Sequence, residues 1–356
     1  MNKFLLIIKL SILICFLSLD LYSQDPNFSQ WFNNKQYYNP AFVGLTEGFQ
    51  MNLNFRKCWP KIPGQFETII TSFDKSLWNI TGIGGIGLIT YNNVEGAGEL
   101  STTTIGIPLS SRIRVTKNWI LQFAIMPQYQ MRKINWEKLT FPDQLSPYYG
   151  KYLQQSPGFQ YNSQDNISFF DLSFGMLFSY ESFPGKQDKA RNKKLTGGFS
   201  MHHYPEPGMS FLGMNYPLET KMIFHLDGEF PLSPGYFRRK ISYIMPGFIF
   251  EKQGPLNSYM FGANFRRWPL TCGIWMRNQD INVRNLTDII LLFGYQLPIN
   301  HDNSSRITVF YSYDITVSNL TNHNSGSHEI GIRTNFDNFY ILKCDNCKDD
   351  RRIIFR

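Results

Sequence analysis

Apolar and polar residues alternate along this chain in runs of about nine to sixteen residues. Residues 167–180 show the pattern most clearly, with large apolar side chains at every second position: Phe170, Leu172, Phe174, Met176, Phe178 and Tyr180. The positions between them carry Asp171, Ser173, Gly175, Leu177 and Ser179. Residues 104–115, 220–230 and 307–315 alternate in the same way. A period of two predicts β-strands that have one apolar face.

The length and chemistry of these runs favour membrane strands. Strands of globular proteins average ~5–6 residues, whereas a strand that crosses a bilayer needs ~9–11. The apolar faces are rich in Phe, Tyr and Met, and the opposite faces mix charges of both signs with Gly and Ser, as in a barrel lumen. Charged residues make up 17% of the chain, below the ~25% typical of soluble domains.

The beginning of the chain predicts export. Residues 1–23 are typical of a signal peptide: Lys3 and Lys9 are basic, residues 5–19 are almost wholly apolar, and Ser23 precedes Gln24, the expected first mature residue. No later apolar run reaches the ~18 residues of a membrane helix. An exported chain with strands of this length is therefore predicted to form a closed barrel, the other structure that satisfies its backbone in lipid.

The predicted fold is all-β, a transmembrane antiparallel outer-membrane β-barrel of about fourteen strands that occupies residues 47–342, followed by a periplasmic tail at 343–356. The strands are expected near 48–58, 65–74, 82–92, 99–115, 117–132, 167–181, 194–203, 219–230, 240–251, 256–266, 271–280, 287–298, 304–315 and 327–341. With the first strand running outward, the long connections 133–166, 204–218 and 316–326 all lie outside, which matches the rule that outer loops are longer. The connection 182–193 is long for an inner turn.

Residues 24–46 are too irregular for a lipid-facing strand, yet they are rich in aromatic residues. Pro26, Pro40 and Gly44 interrupt regular structure, and the segment also carries Phe28, Trp31, Phe32, Tyr37, Tyr38 and Phe42. Aromatic side chains of this number are costly to leave in water. Two placements satisfy them: a partial plug in the lumen, or a strap against the periplasmic turns.

Charges on the polar faces predict a narrow or filled lumen. They are of mixed sign, which favours internal ion pairs over a selectivity ring: Arg112, Arg114, Arg132, Asp171, Asp227, Glu229, Asp314, Glu329 and Arg333. A path for a solute is the alternative. The run Gly82–Gly87 continues as strand and therefore does not fit a nucleotide site; we expect it to relieve crowding in a curved wall.

No motif predicts catalysis, a cofactor or a metal. His202 and His203 are neighbours on a predicted strand, so they should point to opposite faces and cannot chelate together. The chain has no nucleophile elbow, metalloprotease motif or P-loop. Cys344 and Cys347 form a C-x-x-C pair in the tail, which an exported protein would use as a local disulfide, with half a zinc site as the alternative.

Several blocks of the sequence form a recognisable set. They begin at the mature N-terminus and recur in residues 72–75 with the glycine-rich run 82–87, in Tyr311–Asp314 and in residues 326–330. Their most distinctive residues are Gln24, Asp25, Pro26, Phe28, Ser29, Gln30, Asn39, Pro40, Ala41, Gly44, Tyr313, Asp314, Gly326, Ser327, His328 and Glu329. Together these blocks resemble the PorP/SprF family of outer-membrane proteins, which is associated with type IX secretion and gliding in Bacteroidetes. The resemblance implies an outer-membrane location and a role in export, either in the secretion machinery or beside large secreted adhesins.

The expected function is a non-catalytic anchor or adaptor for exported surface proteins. The alternatives are a core component of the machinery, which would contact periplasmic partners through basic inner turns, and a passive transporter. Aromatic side chains in the outer loops are the candidate partner contacts: Tyr148, Tyr149, Tyr152, Phe159, Tyr161, Phe211 and Tyr216. Membrane lipid is the other expected partner, and nucleic acid is not expected.

Overall fold

The computed structural model of the chain describes residues 25–46, 48–77, 80, 82–146, 148, 150–151, 165–182, 192–211, 216–232, 241–279, 286–299, 305–317 and 324–336. These residues form a closed antiparallel barrel. The signal peptide predicted at 1–23 and the tail at 343–356 lie outside the described residues. None of the described helices is both long enough and apolar enough to cross a membrane.

The secondary structure is almost entirely strand. The strands are β1 (Phe49–Cys58), β2 (Gln65–Ser76), β3 (Ile83–Gly96), β4 (Leu100–Gly106), β5 (Leu109–Arg114), β6 (Trp119–Lys133), β7 (Leu145–Ser146), β8 (Gly150–Lys151), β9 (Asn166–Glu181), β10 (Lys194–Tyr204), β11 (Lys221–Pro231), β12 (Ser242–Gln253), β13 (Leu256–Arg267), β14 (Leu270–Asn278), β15 (Asp288–Pro298), β16 (Ser305–Thr316) and β17 (Ser327–Phe336). The helical segments are α1 (Lys35–Tyr38) and 3-10 turns at Pro40–Phe42, Trp136–Lys138 and Pro142–Gln144.

The barrel wall has fourteen strands, as the alternation predicts. One 15-stranded sheet contains all the strands except β7 and β8, which pair with each other in a small hairpin between β6 and β9. Both β4 and β5 pair with β3 and β6, so these two segments share a single place in the wall. The barrel closes where β1 pairs with β17, from Phe49 opposite Phe336 to Cys58 opposite Ser327.

The single strand predicted at 99–115 is interrupted at Ile107 and Pro108. Proline lacks the backbone N–H that an unbroken ladder requires, so the strand divides there into β4 and β5. The gap remains bonded to both neighbours, because Ile107 N–H donates to the carbonyl of Pro127 at 3.0 Å and Gly87 N–H donates to that of Pro108 at 2.9 Å.

Side chains alternate between a lipid-facing belt and a polar interior. Outward positions expose large apolar side chains around the wall, among them Phe55, Ile69, Ile105, Phe123, Phe170, Phe199, Phe224, Leu226, Phe261, Phe293, Tyr311 and Ile330. Inward positions bury polar side chains, among them Asn54, Gln122, Ser173, Ser200, Ser312, Asp314 and Glu329. This pattern is the one expected of a barrel whose outer surface meets hydrocarbon.

The two ends of the barrel differ in the length of their connections. Connections 134–165 and 205–220 leave the same end, which we call the outer end because surface loops of such barrels are the longer ones. The opposite, inner end has tight turns at 115–118 and 268–269. With the ends assigned in this way, the first strand runs outward. Residues 183–191 of the long inner connection lie outside the described residues.

A bulge at the outer end of β10 turns two neighbouring histidines inward. Met201 pairs with Phe174 and Tyr204 pairs with Leu172, so the chain advances three residues on β10 for two on β9. His203 takes up the extra residue with a φ of 63°. Both imidazoles are buried in the lumen, with ring centroids 6.3 Å apart. The prediction that His202 and His203 point to opposite faces is therefore wrong.

Candidate functional site: the occupied lumen

Residues 25–46 lie inside the barrel, and we call this segment the plug. Its side chains pack against inward residues of strands from all round the wall rather than against the inner turns. Phe28, Trp31 and Tyr38 are almost completely buried there. Of the two placements open from the sequence, the structure shows the plug and not the periplasmic strap.

The outer end of the plug is held by a histidine between two carboxylates. His203 Nε2 lies 2.7 Å from Asp25 Oδ2, and its Nδ1 lies 2.7 Å from Asp171 Oδ2 on β9. The Asp25 backbone N–H donates to Gln253 Oε1 at 3.1 Å, at the last residue of β12. A small cavity beside these groups, lined also by Tyr91 and Lys221, has room for about one water molecule.

Four residues further along the plug, Ser29 binds a buried group of charges. Its N–H donates to Glu329 Oε2 at 2.7 Å, and its hydroxyl donates to Asp314 Oδ2 at 2.6 Å. Arg56 Nη2 lies 2.7 Å from Asp314 Oδ2, and Arg56 Nη1 lies 3.1 Å from Glu329 Oε2. Arg277 Nη2 donates to the Ser29 hydroxyl at 3.0 Å. Two guanidinium groups thus balance two carboxylates, and the plug serine joins all four.

Gln30 continues this contact along β16 and β17. Its Nε2 donates to the Ser312 hydroxyl at 3.2 Å and to the Glu329 carbonyl at 3.0 Å. A Cβ at Gly331 would lie only 2.2 Å from Gln30 Oε1. The absence of a side chain at Gly331 therefore leaves the space that Gln30 occupies.

Aromatic rings and one ion pair fill the middle of the lumen. Trp31 meets Tyr38 and Trp275 in edge-to-face contacts, with ring centroids 6.5 and 6.0 Å apart. Such contacts stabilise by about 0.5–1.5 kcal/mol beyond the area they bury. Lys35 Nζ lies 2.8 Å from Asp227 Oδ2 on β11. The core of this protein is therefore the interface between its plug and its wall.

Asn39 fixes the turn that follows α1. Its Oδ1 accepts from the Ala41 N–H at 2.9 Å, which caps the 3-10 turn, and Pro40 occupies the first position of that turn. Its Nδ2 donates to the carbonyls of Met176 at 3.0 Å and Phe199 at 3.3 Å. Side-chain and backbone groups of the plug thus replace water as the partners of the inner wall.

Gly44 brings the inner end of the plug against the backbone of β3. Gly44 has a φ of 70°, and a Cβ on it would lie 2.6 Å from both Gly84 O and Gly85 Cα. Its N–H donates to Asp74 Oδ2 at 3.0 Å, while Arg112 donates to its carbonyl. Gly85 therefore makes room for the plug, since a Cβ on it would lie 2.6 Å from Gly44 Cα, whereas a Cβ on Gly84 would meet the wall side chains of Ser110 and Gln122.

The resemblance blocks converge on the plug. Asp314 and Glu329 bind Ser29 and Gln30, and Asp74 binds Gly44. Others of the family-motif residues act locally: Pro26 O accepts from Tyr37, Phe28 N–H donates to Tyr38, Ser327 pairs with Asp314, and Gly326 has a φ of 69°. Gln24 lies outside the described residues.

Two motif residues face outward instead. The rings of Tyr313 and His328 lie 4.9 Å apart on the exterior of the barrel near its outer end. Tyr311 OH lies 2.9 Å from His328 Nδ1 in the same group. These two positions therefore take no part in holding the plug.

Most of the predicted lumen charges bind the plug or another inward side chain. Their contacts are Asp171 with His203, Asp227 with Lys35, Glu229 with Arg266, Arg132 with Thr102, Asp314 and Glu329 with Arg56, Arg112 with the Gly44 carbonyl and Arg333 with the Phe32 carbonyl. Arg114 is exposed at the end of β5. The lumen is filled, as the mixed signs indicate.

Sequence reasoning missed several residues that hold the plug. Arg56 and Arg277 carry the positive charge around Ser29, and Lys35 and His203 complete two other pairs. Arg56 and Arg277 lie at polar, inward positions in the alternation along β1 and β14, and this position was the available signal. Within the described part of the chain, no group of three or more His, Cys, Asp or Glu side chains is placed to hold a metal ion.

The candidate partner residues fall into three groups. Tyr148 is 90% exposed and Tyr216 is 43% exposed. Phe211 packs edge-to-face on Trp136, with ring centroids 6.2 Å apart, so it joins the two long outer connections. Tyr149, Tyr152, Phe159, Tyr161, Cys344 and Cys347 lie outside the described residues, and the disulfide remains a prediction.

Several solved structures are similar to this chain at low sequence identity. They include the CymD monoaromatic hydrocarbon channel, at 10% identity over 86% of this chain and 94% of that one, with a TM-score of 0.46. A Pseudomonas aeruginosa FadL homologue follows at 11% identity, over 85% and 93% of the two chains, with a TM-score of 0.41. The translocator domain of autotransporter NalP from Neisseria meningitidis has 10% identity over 81% and 88%, with a TM-score of 0.40.

Family membership rests on the sequence. No curated protein matches the chain. The family model described as "Type IX secretion system membrane protein PorP/SprF" matches residues 20–334, which include the plug and nearly the whole barrel. The chain is an outer-membrane β-barrel and belongs to the PorP/SprF family of type IX secretion system membrane proteins.

Proposed function

We propose that this barrel is a non-catalytic anchor or adaptor that holds a surface protein exported by type IX secretion. The observation that carries the proposal is the occupied lumen: the plug runs from Asp25 at the outer end to Gly44 at the inner end, and side chains close around it. A barrel that is filled along its length offers its loops and its outer wall, rather than a passage, to other molecules.

The filled lumen weighs against a passive transporter. The contacts along the plug are buried ion pairs and hydrogen bonds, and displacing the plug would leave Arg56, Asp314 and Glu329 without their present partners in Ser29. A hydrogen bond to a charged group contributes ~1.5–3 kcal/mol, and displacement would also separate two plug–wall ion pairs, Asp25–His203 and Lys35–Asp227. The barrel is thus expected to stay closed in the absence of a ligand that replaces these contacts.

The outer connections supply the proposed docking surface. The Trp136–Phe211 contact braces connection 134–165 against connection 205–220, while Tyr148 and Tyr216 remain exposed. Exposed tyrosines on a braced support suit a protein interface, because aromatic side chains bury large areas at low entropic cost. The surface protein would contact this face of the barrel.

The test is a mild-detergent pull-down of the tagged full chain from native outer membranes, read by mass spectrometry. We expect a large secreted protein in stoichiometric amount, which is lost when residues 147–164 are removed. This deletion leaves Trp136 and the buried Gln144 in place. The matched control removes residues 183–190 from the inner connection, and it should retain the partner.

The outcomes separate the alternatives. Recovery of periplasmic machinery proteins alone, with or without residues 147–164, would favour a core component of the secretion system. Recovery of no partner, together with ion conductance of the purified wild-type barrel in planar bilayers, would favour a transporter. Either result would refute the anchor.

A further inference from the structure

We infer that the plug is threaded so that the mature N-terminus opens toward the cell surface. This inference depends on the direction of the plug and on the orientation of the barrel. It does not depend on which protein, if any, the outer loops hold.

The contacts of the plug fix its direction. Asp25 binds His203, the penultimate residue of β10, and Gln253, the last residue of β12, at the end from which connections 205–220 and 254–255 leave. Gly44 binds Asp74 near the end of β2, and Gly48 N–H donates to Ser76 Oγ at 3.1 Å. Residue numbers therefore increase from the outer end to the inner end, and the chain reaches β1 at the inner rim.

The chain that precedes Asp25 has no route back through the lumen. Inward side chains of the wall pack directly on the plug, and the glycines beside Gly44 and Gln30 leave space for the plug alone. The space remaining beside Asp25 holds about one water molecule. A second pass of polypeptide through this interior would require the plug to leave.

A route outside the barrel is closed as well. A chain that left the outer mouth and returned to the periplasm would have to cross hydrocarbon with an irregular backbone, which has no hydrogen-bond partners there. A segment that precedes the seated plug therefore stays on the outer side of the membrane.

The same geometry predicts what the N-terminus can carry. A short flexible extension can follow the plug up the lumen and emerge at the outer mouth. A folded domain cannot pass through an interior of this width, so it would stay in the periplasm and keep the plug out.

The first experiment places a flexible epitope between Gln24 and Asp25 in the full chain. We expect antibody to bind it on intact cells. The same epitope within residues 183–191 should become reachable only after the outer membrane is opened. An epitope within residues 152–164 checks the orientation of the barrel. If the loop epitope is reachable from outside and the N-terminal epitope is reachable only from the periplasm, the inference is overturned.

The second experiment places a compact folded domain at the same N-terminal position, with the same domain after Arg356 as the matched control. Barrel assembly is checked by heat-modifiable migration in gels. We expect the N-terminal fusion to conduct ions in planar bilayers and the C-terminal fusion to stay closed like the wild type. An N-terminal fusion that assembles and stays closed would overturn the inference.

These results are distinguishable from failure of the proposed function. Loss of the surface partner with an accessible N-terminal epitope would leave the threading intact and refute only the anchor. A retained surface partner together with an N-terminal epitope reachable only from the periplasm would refute the threading and leave the anchor intact.

Discussion

Replacing Gly44 by alanine is the sharpest test of how the plug is seated. The residue combines a left-handed φ of 70° with a close approach to backbone: a Cβ would lie 2.6 Å from Gly84 O and from Gly85 Cα. These atoms belong to β3, which is paired on both sides, so they cannot move away as the end of a flexible side chain could. The substitution should push the inner end of the plug out of place.

Gly96→Ala is the matched control, since Gly96 also has a left-handed φ of 72° but a Cβ added to it would meet nothing within 4 Å. Both variants carry the backbone penalty of a left-handed alanine, ~1–2 kcal/mol. Only Gly44→Ala adds overpacking, which costs ~1–3 kcal/mol. Because each ~1.4 kcal/mol is a tenfold change, the added term weakens plug seating by about 5-fold to 150-fold.

The assay is conductance of purified protein in planar bilayers, together with proteolysis of residues 25–46 in detergent. We expect Gly44→Ala to open more often and to lose the plug faster, whereas Gly96→Ala should behave like the wild type in both measurements. Equal behaviour of the two variants, with the plug protected in both, would refute the reasoning that backbone contact at Gly44 holds the plug.

Three further changes test other parts of the structure. Deleting residues 25–46 should leave a barrel that assembles but conducts ions, and a deletion variant that assembles and stays closed would contradict the plug. Asp314→Asn should lower the free energy of unfolding by ~3–5 kcal/mol, because it removes one of the two carboxylates that pair with buried Arg56. Glu67→Gln, in the exposed pair with Lys57, should lower it by only ~0–1 kcal/mol. Urea titration of protein in detergent or lipid would measure both, and equal losses would contradict the burial argument. Leu226→Arg on the lipid-facing side should destabilise the folded barrel by ~2–4 kcal/mol in lipid vesicles, and a neutral effect would contradict a lipid-facing position there.

Alternation identified the strands because burial on one face and lipid on the other repeat at every second residue. It could not reveal departures from that period. The bulge at His202 and His203 adds one residue to β10, and the doubled polar pair in Met201–Tyr204 was its only trace in the sequence. Pro108 was a clearer signal, since a proline inside a predicted central strand argues for a break.

The site was harder to predict than the wall. Aromatic side chains between helix and strand breakers indicated that residues 24–46 must be buried, but both a plug and a strap would have buried them. The pairs Lys35–Asp227 and Asp25–His203 join segments that are distant in sequence, and nothing local marks one as the partner of the other. The alternation placed Asp314 and Glu329 in the lumen. It did not indicate that Ser29 would donate hydrogen bonds to both of them.

The position of Ser29 has a consequence for the strength of the barrel wall. Its partners Arg56, Asp314 and Glu329 lie on β1, β16 and β17, on both sides of the seam where the first and last strands meet. That seam joins residues with the largest sequence separation in the barrel, so closing it carries a large cost in loop entropy. A segment that binds both edges adds contacts across the seam to those of the strand ladder. The plug therefore clamps the seam of the finished wall against lateral opening.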